Sequence, residues 1–285
     1  MVPRGNTNRI KLSDGKKLLL TKGHGWKDSY FEEIILPFLN GKTPPNIERV
    51  KSSLNARVWN ACGEGTSIFM KFFNYRGVRD KFVFRKSRAR RAMEGGMILL
   101  QKGFLVPTLI AQGDLIKGFR VLENFLITQW IEGSFNTYTY LKTFFKLPLF
   151  GEALQKKRNF IKAAGQLIGS MHKNGIFHGD LRPGNILIKV SDNDHLFYFI
   201  DNERTKYFPK GIPFRLREKN LVQINMILMT QITLSDRMRF FKAYLIENPG
   251  LDSIEKRLIR RISLKTEKRL TKKISGIREK EDAQN

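Results

Sequence analysis

One stretch in the second half of the chain constrains the fold more than any other. It reads His-Gly-Asp-Leu-Arg-Pro-Gly-Asn from His178 to Asn185, and an apolar, β-rich run then leads to Phe-Ile-Asp201. Proline and glycine indicate a tight loop, and the apolar runs after Asn185 predict a β-hairpin that turns through residues 191–194. The sequence therefore predicts a polar loop before a hairpin, with a second aspartate where the hairpin ends.

Three of these polar side chains stand at spacings used for phosphoryl transfer, in which an H-x-D-x-x-x-x-N loop precedes a strand that ends in Asp. Asp180 would accept or orient the proton of the acceptor hydroxyl. Asn185 and Asp201 would hold Mg²⁺, which prefers hard oxygen ligands. We therefore predict an ATP-dependent phosphotransferase that uses Mg²⁺, with Mn²⁺ as an alternative ion.

The remaining polar groups of this region have less specific interpretations. Arg182 has two open roles, since it could stabilise the γ-phosphate or belong to a structural ion pair. His178 is interpreted as a scaffold for the loop. His172 precedes it by a spacing that is poor for metal ligands, so a hydrogen-bonded buried histidine is the expected state.

The order of predicted elements gives the fold class. Strands are predicted at 47–51, 56–61 and 67–73, a helix at 87–102, two strands within 105–131, a helix at 151–173 and helices after 216. This order predicts an α+β, bilobal protein-kinase-like fold, with a small antiparallel sheet plus one helix in the N-lobe and a mainly helical C-lobe. ATP would bind in the cleft between the lobes.

Domain boundaries follow from the same pattern. Residues 1–45 are predicted to form an N-terminal extension, irregular up to residue 25 and then a short helix. Residues 46–132 form the N-lobe and 133–250 the C-lobe, and 251–285 form a basic amphipathic tail.

The N-lobe offers nucleotide-binding candidates. Lys71, on the third predicted strand, would contact the α- and β-phosphates, and Glu94 in the following helix would pair with it. The turn after the first predicted strand lacks the glycine-rich pattern of protein kinases. Lys51, Ser52 and Asn55 would supply charge and hydrogen-bond donors to the phosphates instead.

The segment after Asp201 bears on the acceptor. A helical pattern resumes near Arg215, and the sequence has no A-P-E motif to end a long activation segment. A protein kinase uses that segment to hold a peptide. Its absence favours a sugar, lipid or small-molecule acceptor.

Charge and composition add limits on partners and location. The net charge is +26, which attracts nucleic acid, anionic lipid or a phosphorylated glycan without choosing among them. The single cysteine, Cys62, excludes an intrachain disulfide. The start lacks a signal-peptide core, and no apolar run approaches the roughly 20 residues of a membrane span. We expect a cytoplasmic protein, attached at most to a membrane surface.

In its motifs the chain resembles the lipopolysaccharide core kinase family, which phosphorylates Kdo or heptose sugars of the inner core. The resemblance covers roughly 46–246 and is carried by residues 69–73, 87–94, 103–108, 126–133, 178–185, 199–201 and 235–244. It implies ATP contact at Lys71 with Glu94 as partner, catalysis at Asp180, and metal at Asn185 and Asp201.

Two positions depart from the general kinase pattern. Gln129 stands where an acid is common before the interlobe linker, and we retain it as a nucleotide-contact candidate. Asn220 stands where many kinases carry an aspartate that supports the catalytic loop, so that support is expected to differ.

The resemblance implies a lipopolysaccharide core glycolipid as acceptor and a peripheral location at the inner face of the inner membrane. Nucleic acid is disfavoured as a partner, and the oligomeric state is left open. The tail from Leu251 fits a basic helix on an anionic membrane and equally a helix docked on the C-lobe. Two other functions stay open: an atypical Ser/Thr protein kinase with a shortened activation segment, and a non-enzymatic module that binds polyanions.

Overall fold

The computed structural model describes residues 7–44, 47–53, 56–63, 66–75, 77–191, 194–227 and 232–282. The chain divides into two compact units. The first consists of 1–133 with 198–204, and the second of 134–197 with 205–285. Among these described residues, every helix is too short or too polar to cross a bilayer.

The first unit is built on one antiparallel sheet. Its strands are β1 (Thr7–Lys11), β2 (Lys16–Lys22), β3 (Ile47–Ser53), β4 (Ala56–Gly63), β5 (Thr66–Phe73), β6 (Leu109–Lys117) and β7 (Arg120–Gln129). Their order across the sheet is β1-β2-β6-β7-β5-β4-β3. The five strands predicted after residue 46 are confirmed.

The prediction that residues 1–25 are irregular is wrong for residues 7–22. These residues form the β1–β2 hairpin, and β2 pairs with β6, so that Leu20 lies opposite Gly113. Leu18 and Leu20 are buried in the core. The hairpin was missed because its partner strand lies far away in sequence and lysines flank its short apolar run.

Gly113 lies inside β6 rather than at the β6–β7 turn. A Cβ atom there would fall 2.2 Å from the ring of Phe125, so only glycine allows this packing. The turn is made instead at Gly118, whose φ of 56° suits glycine.

Residues 26–39 cover one face of this sheet. A wide turn (Phe31–Ile35) leads into the short helix α1 (Leu36–Leu39), so the predicted helix exists but is brief. Tyr30, Ile34 and Ile35 are buried in the same core as β2 and β5. Residues 16–39 therefore contribute side chains to this unit's core rather than extending away from it.

The opposite face of the sheet carries α2 (Arg88–Gln101), as predicted. The Ser87 hydroxyl caps this helix by accepting a hydrogen bond from the Arg90 N–H at 3.0 Å. Gly103, with a φ of 80°, follows its end. Phe73 on β5 packs against Ala89 and Ala92 of the helix.

The second unit is mainly helical, with short strands. Its elements in chain order are β8 (Phe135–Asn136), α3 (Thr137–Phe144), α4 (Gly151–Lys173), β9 (Ile176–Phe177), β10 (Ile186–Ser191), β11 (Asp194–Phe199), whose last two residues belong to the first unit, β12 (Lys206–Tyr207), α5 (Phe214–Ile224), α6 (Leu234–Ile246) and α7 (Glu255–Asp282). The predicted bounds of α4 and the predicted β10–β11 pair are confirmed.

Close packing of α4 on α6 depends on two glycines one turn apart. A Cβ atom on Gly165 would lie 2.3 Å from the Phe240 carbonyl oxygen. One on Gly169 would lie 2.9 Å from that of Tyr244. Since i and i+4 share a helix face, this pair lets the two backbones approach closely.

The start of the basic tail is docked on the second unit. Leu258 and Ile262 of α7 are buried. Arg261 donates to the Glu218 carboxylate of α5 at 2.6 Å, and Lys265 pairs with the same group. Of the two alternatives left open by the sequence, the structure favours docking for this part of α7.

Candidate active site

Lys71 is directed to the α2 face of the sheet by strand periodicity. On β5, Ile68, Met70 and Phe72 enter the core on the other face, so the intervening Lys71 points away from it. Its ammonium group forms an ion pair with the carboxylate of Asp201. Two of the predicted site residues are therefore in direct contact.

Asp201 reaches this position because residues 198–204 return to the first unit. The Phe199 N–H donates to the Leu105 carbonyl at 2.9 Å, and the Phe199 ring is buried. Asp201 follows with a φ of 60°, a left-handed conformation that aspartate adopts more readily than most residues. The Asn202 amide donates to the Phe199 carbonyl at 3.3 Å, which closes the turn.

A buried ion pair anchors the same segment to α2. Arg88 Nε lies 2.8 Å from Glu203 Oε2, and both side chains are at least nine-tenths buried. The guanidinium also donates to the Asn74 carbonyl at 2.8 Å and lies over the Phe73 ring. Sequence reasoning missed this pair because Arg88 sits in a basic run that resembles a solvated helix face.

The predicted pairing of Glu94 with Lys71 is not what the structure has. Glu94 accepts hydrogen bonds from Lys86 at 2.8 Å and from Arg90 at 3.3 Å. Arg90 is one helical turn away and so shares its face. The carboxylate beside Lys71 is that of Asp201.

Of the other nucleotide-contact candidates, only Gln129 has a side chain within the described part of the chain. Gln129 ends β7 in an exposed position, and its side-chain oxygen accepts from the Thr108 hydroxyl at 2.7 Å. Asn55 lies outside the described residues, as do the side chains of Lys51 and Ser52, whose backbone belongs to β3.

In the second unit, the predicted catalytic loop is a compact turn closed on itself. Arg182 donates to both oxygens of the Asp180 carboxylate, from Nε at 2.8 Å and from Nη2 at 2.6 Å. The structure thus shows Arg182 as an ion-pair partner of Asp180. The Asn185 Nδ2 donates to the Asp180 carbonyl at 2.8 Å, which leaves Oδ1 as the atom with metal-ligand chemistry.

Neutral side chains of α5 hold this loop. Asn220, fully buried, uses Oδ1 to accept the His178 N–H at 3.3 Å and lies 3.2 Å from His172 Nε2. Its Nδ2 donates to Gln223 Oε1 at 2.9 Å. At this position of α5 the loop is therefore supported by an uncharged amide side chain.

Gln223 extends this support to the next residues of the loop. Its Oε1 accepts the Leu181 N–H at 3.2 Å, and its Nε2 donates to the Gly179 carbonyl at 3.3 Å. Gln223 had no local sequence signal, because a glutamine on a helix is usually exposed. The backbone on both sides of Asp180 is thus fixed by two amide side chains.

The hydrogen bonds assign the protonation state of His172. Because Asn220 Oδ1 is an acceptor, Nε2 carries the proton, and Nδ1 accepts from the Tyr244 hydroxyl at 2.9 Å. Burial, with the charge of Arg217 nearby, lowers the pKa of His172 to about 3. The predicted buried, hydrogen-bonded histidine is confirmed, and it is neutral at physiological pH.

The segment 235–244 forms ion pairs and hydrogen bonds that stabilise the second unit. Asp236 caps α6 together with Thr233 and pairs with the buried Lys157 of α4 at 2.8 Å. Burial acts to raise the pKa of Asp236, but the Lys157 and Thr233 donors hold it below its usual value. Arg237 donates to the Asn225 carbonyl at 2.6 Å, just beyond α5.

Comparison with known proteins gives consistent matches. Residues 45–244 match the Lipopolysaccharide kinase (Kdo/WaaP) family. The EKC/KEOPS complex subunit bud32 of Aspergillus oryzae (strain ATCC 42149 / RIB 40) is 22% identical over 175 residues, 55% of this chain and 63% of that protein. The chain thus matches less than two thirds of the length of this curated relative.

Among solved structures, WaaP in complex with acyl carrier protein is 21% identical, with a TM-score of 0.59 over 83% of this chain and 97% of that one. The Rio2 kinase-ADP/Mg²⁺-phosphoaspartate complex from Chaetomium thermophilum is 15% identical, with a TM-score of 0.46 over 93% and 82%. The WaaP match confirms the protein-kinase-like fold. The family match covers most of the chain, and the chain therefore belongs to the lipopolysaccharide kinase (Kdo/WaaP) family and is a kinase.

Proposed function

We propose that this kinase transfers the γ-phosphoryl group of ATP to a sugar hydroxyl, of Kdo or heptose, in the lipopolysaccharide inner core. The observation that carries the proposal is the family match, which includes Lys71, the loop at 178–185 and Asp201. The short connection from Asp201 to α5, which begins at Phe214, supports a non-peptide acceptor.

The donor set fits Mg²⁺ and ATP. Asp201 offers a partly exposed carboxylate and Asn185 an amide oxygen, both hard ligands. Mg²⁺, when bound, would neutralise phosphate charge. Lys71 would bind phosphate oxygens, and its contact with Asp201 keeps the ammonium group at the α2 face of the sheet.

Asp180 would orient the sugar hydroxyl and accept its proton on a carboxylate oxygen. Arg182 holds that carboxylate through two hydrogen bonds, so its first effect is to position Asp180. Asn220 and Gln223 keep the backbone around Asp180 rigid, which reduces the reorganisation needed when the acceptor binds.

We further propose that the protein works at the inner face of the inner membrane, where its glycolipid acceptor would be embedded. The net charge of +26 supports this location, because anionic lipid attracts a strongly basic surface.

The test is transfer of radiolabelled phosphate from ATP, with Mg²⁺, to purified core glycolipid and in parallel to a protein acceptor. The matched variants are Asp180→Asn, which keeps the shape of the side chain, and Lys86→Met, a surface change away from the proposed roles. We expect label on the glycolipid with wild type and Lys86→Met, and a loss on the order of 10²–10⁴ with Asp180→Asn.

The same assay decides the main alternative. An atypical Ser/Thr protein kinase would use the same Lys71, Asp180 and Asp201, and bud32 is a curated relative with limited identity. Label that appears on the protein acceptor and not on the glycolipid would replace the sugar-kinase proposal with this one.

A large cavity in the second unit supports a second proposal, about a partner. About 330 Å³ of space is lined mainly by apolar side chains. These include Phe160, Ile168, Leu221, Phe241 and Ile262. WaaP in the related structure is bound to acyl carrier protein. We propose that this cavity takes the acyl chain of such a carrier.

Binding of acylated and unacylated acyl carrier protein to the purified kinase tests this proposal. The variant Ala164→Phe fills the cavity from α4. Tight binding of the acylated form alone, weakened in the variant, is expected. Equal binding of both forms would contradict the proposed role of the cavity.

A further inference from the structure

The first unit carries a group of exposed phenylalanines that its fold does not require. Phe82 and Phe84 stack with centroids 6.4 Å apart, and Phe84 stacks on Phe119 at 5.8 Å. Phe84 is 81% exposed and Phe119 is 69% exposed; Val78 and Val83 add further exposed apolar surface. Single exposed apolar residues are ordinary, but a contiguous group marks an interaction surface. We call these five residues the aromatic patch.

The aromatic patch is held in place by backbone contacts. The Val83 N–H donates to the Phe119 carbonyl at 3.1 Å, and Phe82 forms a β-bridge with Arg120. Gly118, with its positive φ, makes the β6–β7 turn that presents Phe119. The patch thus joins two chain segments into one preformed surface, which lowers the entropy cost of binding.

Cations surround the patch. Residues 77–86 and 117–120 include Arg79, Lys81, Arg85, Lys117 and Arg120, all exposed, and Asp80 as their sole acid. The cations next to the patch in sequence and on α2 are instead engaged in ion pairs within the unit. Arg88 pairs with Glu203, and Lys86 and Arg90 pair with Glu94.

We propose that the aromatic patch is the surface through which the first unit docks on an anionic lipid bilayer. Its phenylalanines and valines would enter the interfacial layer while the surrounding Lys and Arg side chains contact lipid phosphates. Lipid fits better than nucleic acid because the aliphatic Val78 and Val83 give bases nothing to stack on. Exposed apolar side chains flanked in the chain by exposed cations complement a lipid interface.

Leu258 and Ile262 of the tail helix are already buried in the second unit and are therefore not available for this role. The biological purpose of docking rests on the proposed function, in which the acceptor is embedded in the membrane. The test of docking is independent of that function, because it uses vesicles without glycolipid. A negative result in the phosphotransfer assay would therefore leave the docking result interpretable.

The experiment is co-sedimentation of the full-length protein with vesicles of phosphatidylcholine alone or with roughly one third phosphatidylglycerol. The test variant is Phe84→Ser with Phe119→Ser, two exposed changes that remove no core contact. Ile246→Ser, an exposed apolar change in the second unit, is the matched control. A second readout uses Phe84→Trp and quenching of its added fluorescence by brominated lipid.

We expect wild type and Ile246→Ser to bind anionic vesicles, and the double variant to partition about tenfold less. Replacing Arg79 and Arg120 by Gln should also weaken binding, and more so at low salt. Brominated lipid should quench the fluorescence that Phe84→Trp adds. Equal vesicle binding by wild type and the double variant, or no quenching, would overturn the proposal. So would binding to single-stranded RNA in place of vesicles.

Discussion

The two groups of proposed catalytic residues are held by different kinds of interaction. In the first unit, Lys71 pairs with Asp201, and the segment that carries Asp201 is anchored by the buried pair of Arg88 and Glu203. In the second unit, the loop around Asp180 is held by neutral amides of Asn220 and others on α5. Charge fixes one group, and hydrogen-bonded amides fix the other.

The difference has a physical consequence. Losing one partner of a buried ion pair leaves an uncompensated charge, which costs more than losing one neutral hydrogen bond. Because Asn220 and Gln223 are uncharged, the electrostatic potential at Asp180 is set mainly by the groups in contact with it, above all Arg182. The segment that carries Asp201 should therefore be more sensitive to single charge deletions than the loop around Asp180.

The largest effect is expected at Arg88. Arg88→Met should lower the free energy of unfolding of the first unit by about 3–5 kcal/mol, because Glu203 would remain buried and unpaired by Arg88. Chemical denaturation measures this change. In the double variant Arg88→Met with Glu203→Gln, part of the loss should be recovered; a double variant as unstable as the sum of both singles would argue against the pair.

Lys71 and Glu94 provide the next comparison. Lys71→Met should reduce phosphotransfer on the order of 10²–10³, since a positioned cation would be lost. Glu94→Gln should cost less than about threefold, because Glu94 contacts Lys86 and Arg90 rather than Lys71. Steady-state kinetics with matched melting curves measures both. A loss for Glu94→Gln as large as for Lys71→Met would restore the pairing predicted from the sequence.

A substitution of Asn220 tests the loop around Asp180, which is held by uncharged side chains. Asn220→Ala should lower the free energy of unfolding by about 2–3 kcal/mol, because several buried partners would lose hydrogen bonds. Thermal denaturation and hydrogen exchange at 178–181 would detect the change. Asn225→Ala is the control, because it removes an amide next to α5 whose side chain bonds Thr266 and Arg237 rather than the loop. Exchange at 178–181 in this variant should stay as in wild type.

The smallest effect is the pH dependence due to His172. Its pKa of about 3 in the folded protein lies below its ordinary value of 6.5, so below pH 6.5 the unfolded chain binds a proton that the folded chain does not. Stability is therefore complete above pH 6.5 and falls as the pH decreases towards 3. The expected loss between pH 6.5 and 5.5 is about 1 kcal/mol.

Replacing His172 by Gln should flatten this slope, whereas His24→Gln, at an exposed position, should leave it unchanged. Unfolding free energies measured at the two pH values give the slope. An unchanged slope in His172→Gln would show that another group titrates in this window.

Much of this molecule follows from local sequence pattern. The limits of α4, the cap at Ser87, the β10–β11 pair and the loop at 178–185 are set by neighbours in the chain, where periodicity and turn chemistry are informative. Asn220 was identified because it departs from a kinase motif. The roles assigned to Asp180, Asn185 and Asp201 remain predictions that the experiments above address.

What the sequence could not predict depends on distant partners. The β1–β2 hairpin is stable only beside β6, and the ion pair of Arg88 and Glu203 joins residues far apart in the chain. The same holds for Gln223, whose burial against the loop has no local signal. Lys71 pairs with Asp201 rather than with Glu94, and this choice also depends on where residues 198–204 return to the sheet.

The mass of purified core glycolipid after incubation with ATP and Mg²⁺ tests the central claim most directly. Wild type should add one phosphoryl group per glycolipid, and folded Asp180→Asn and Asp201→Asn should each leave the mass unchanged over the same time. A glycolipid of unchanged mass after incubation with wild type, or one phosphorylated equally well by Asp180→Asn, would contradict the account.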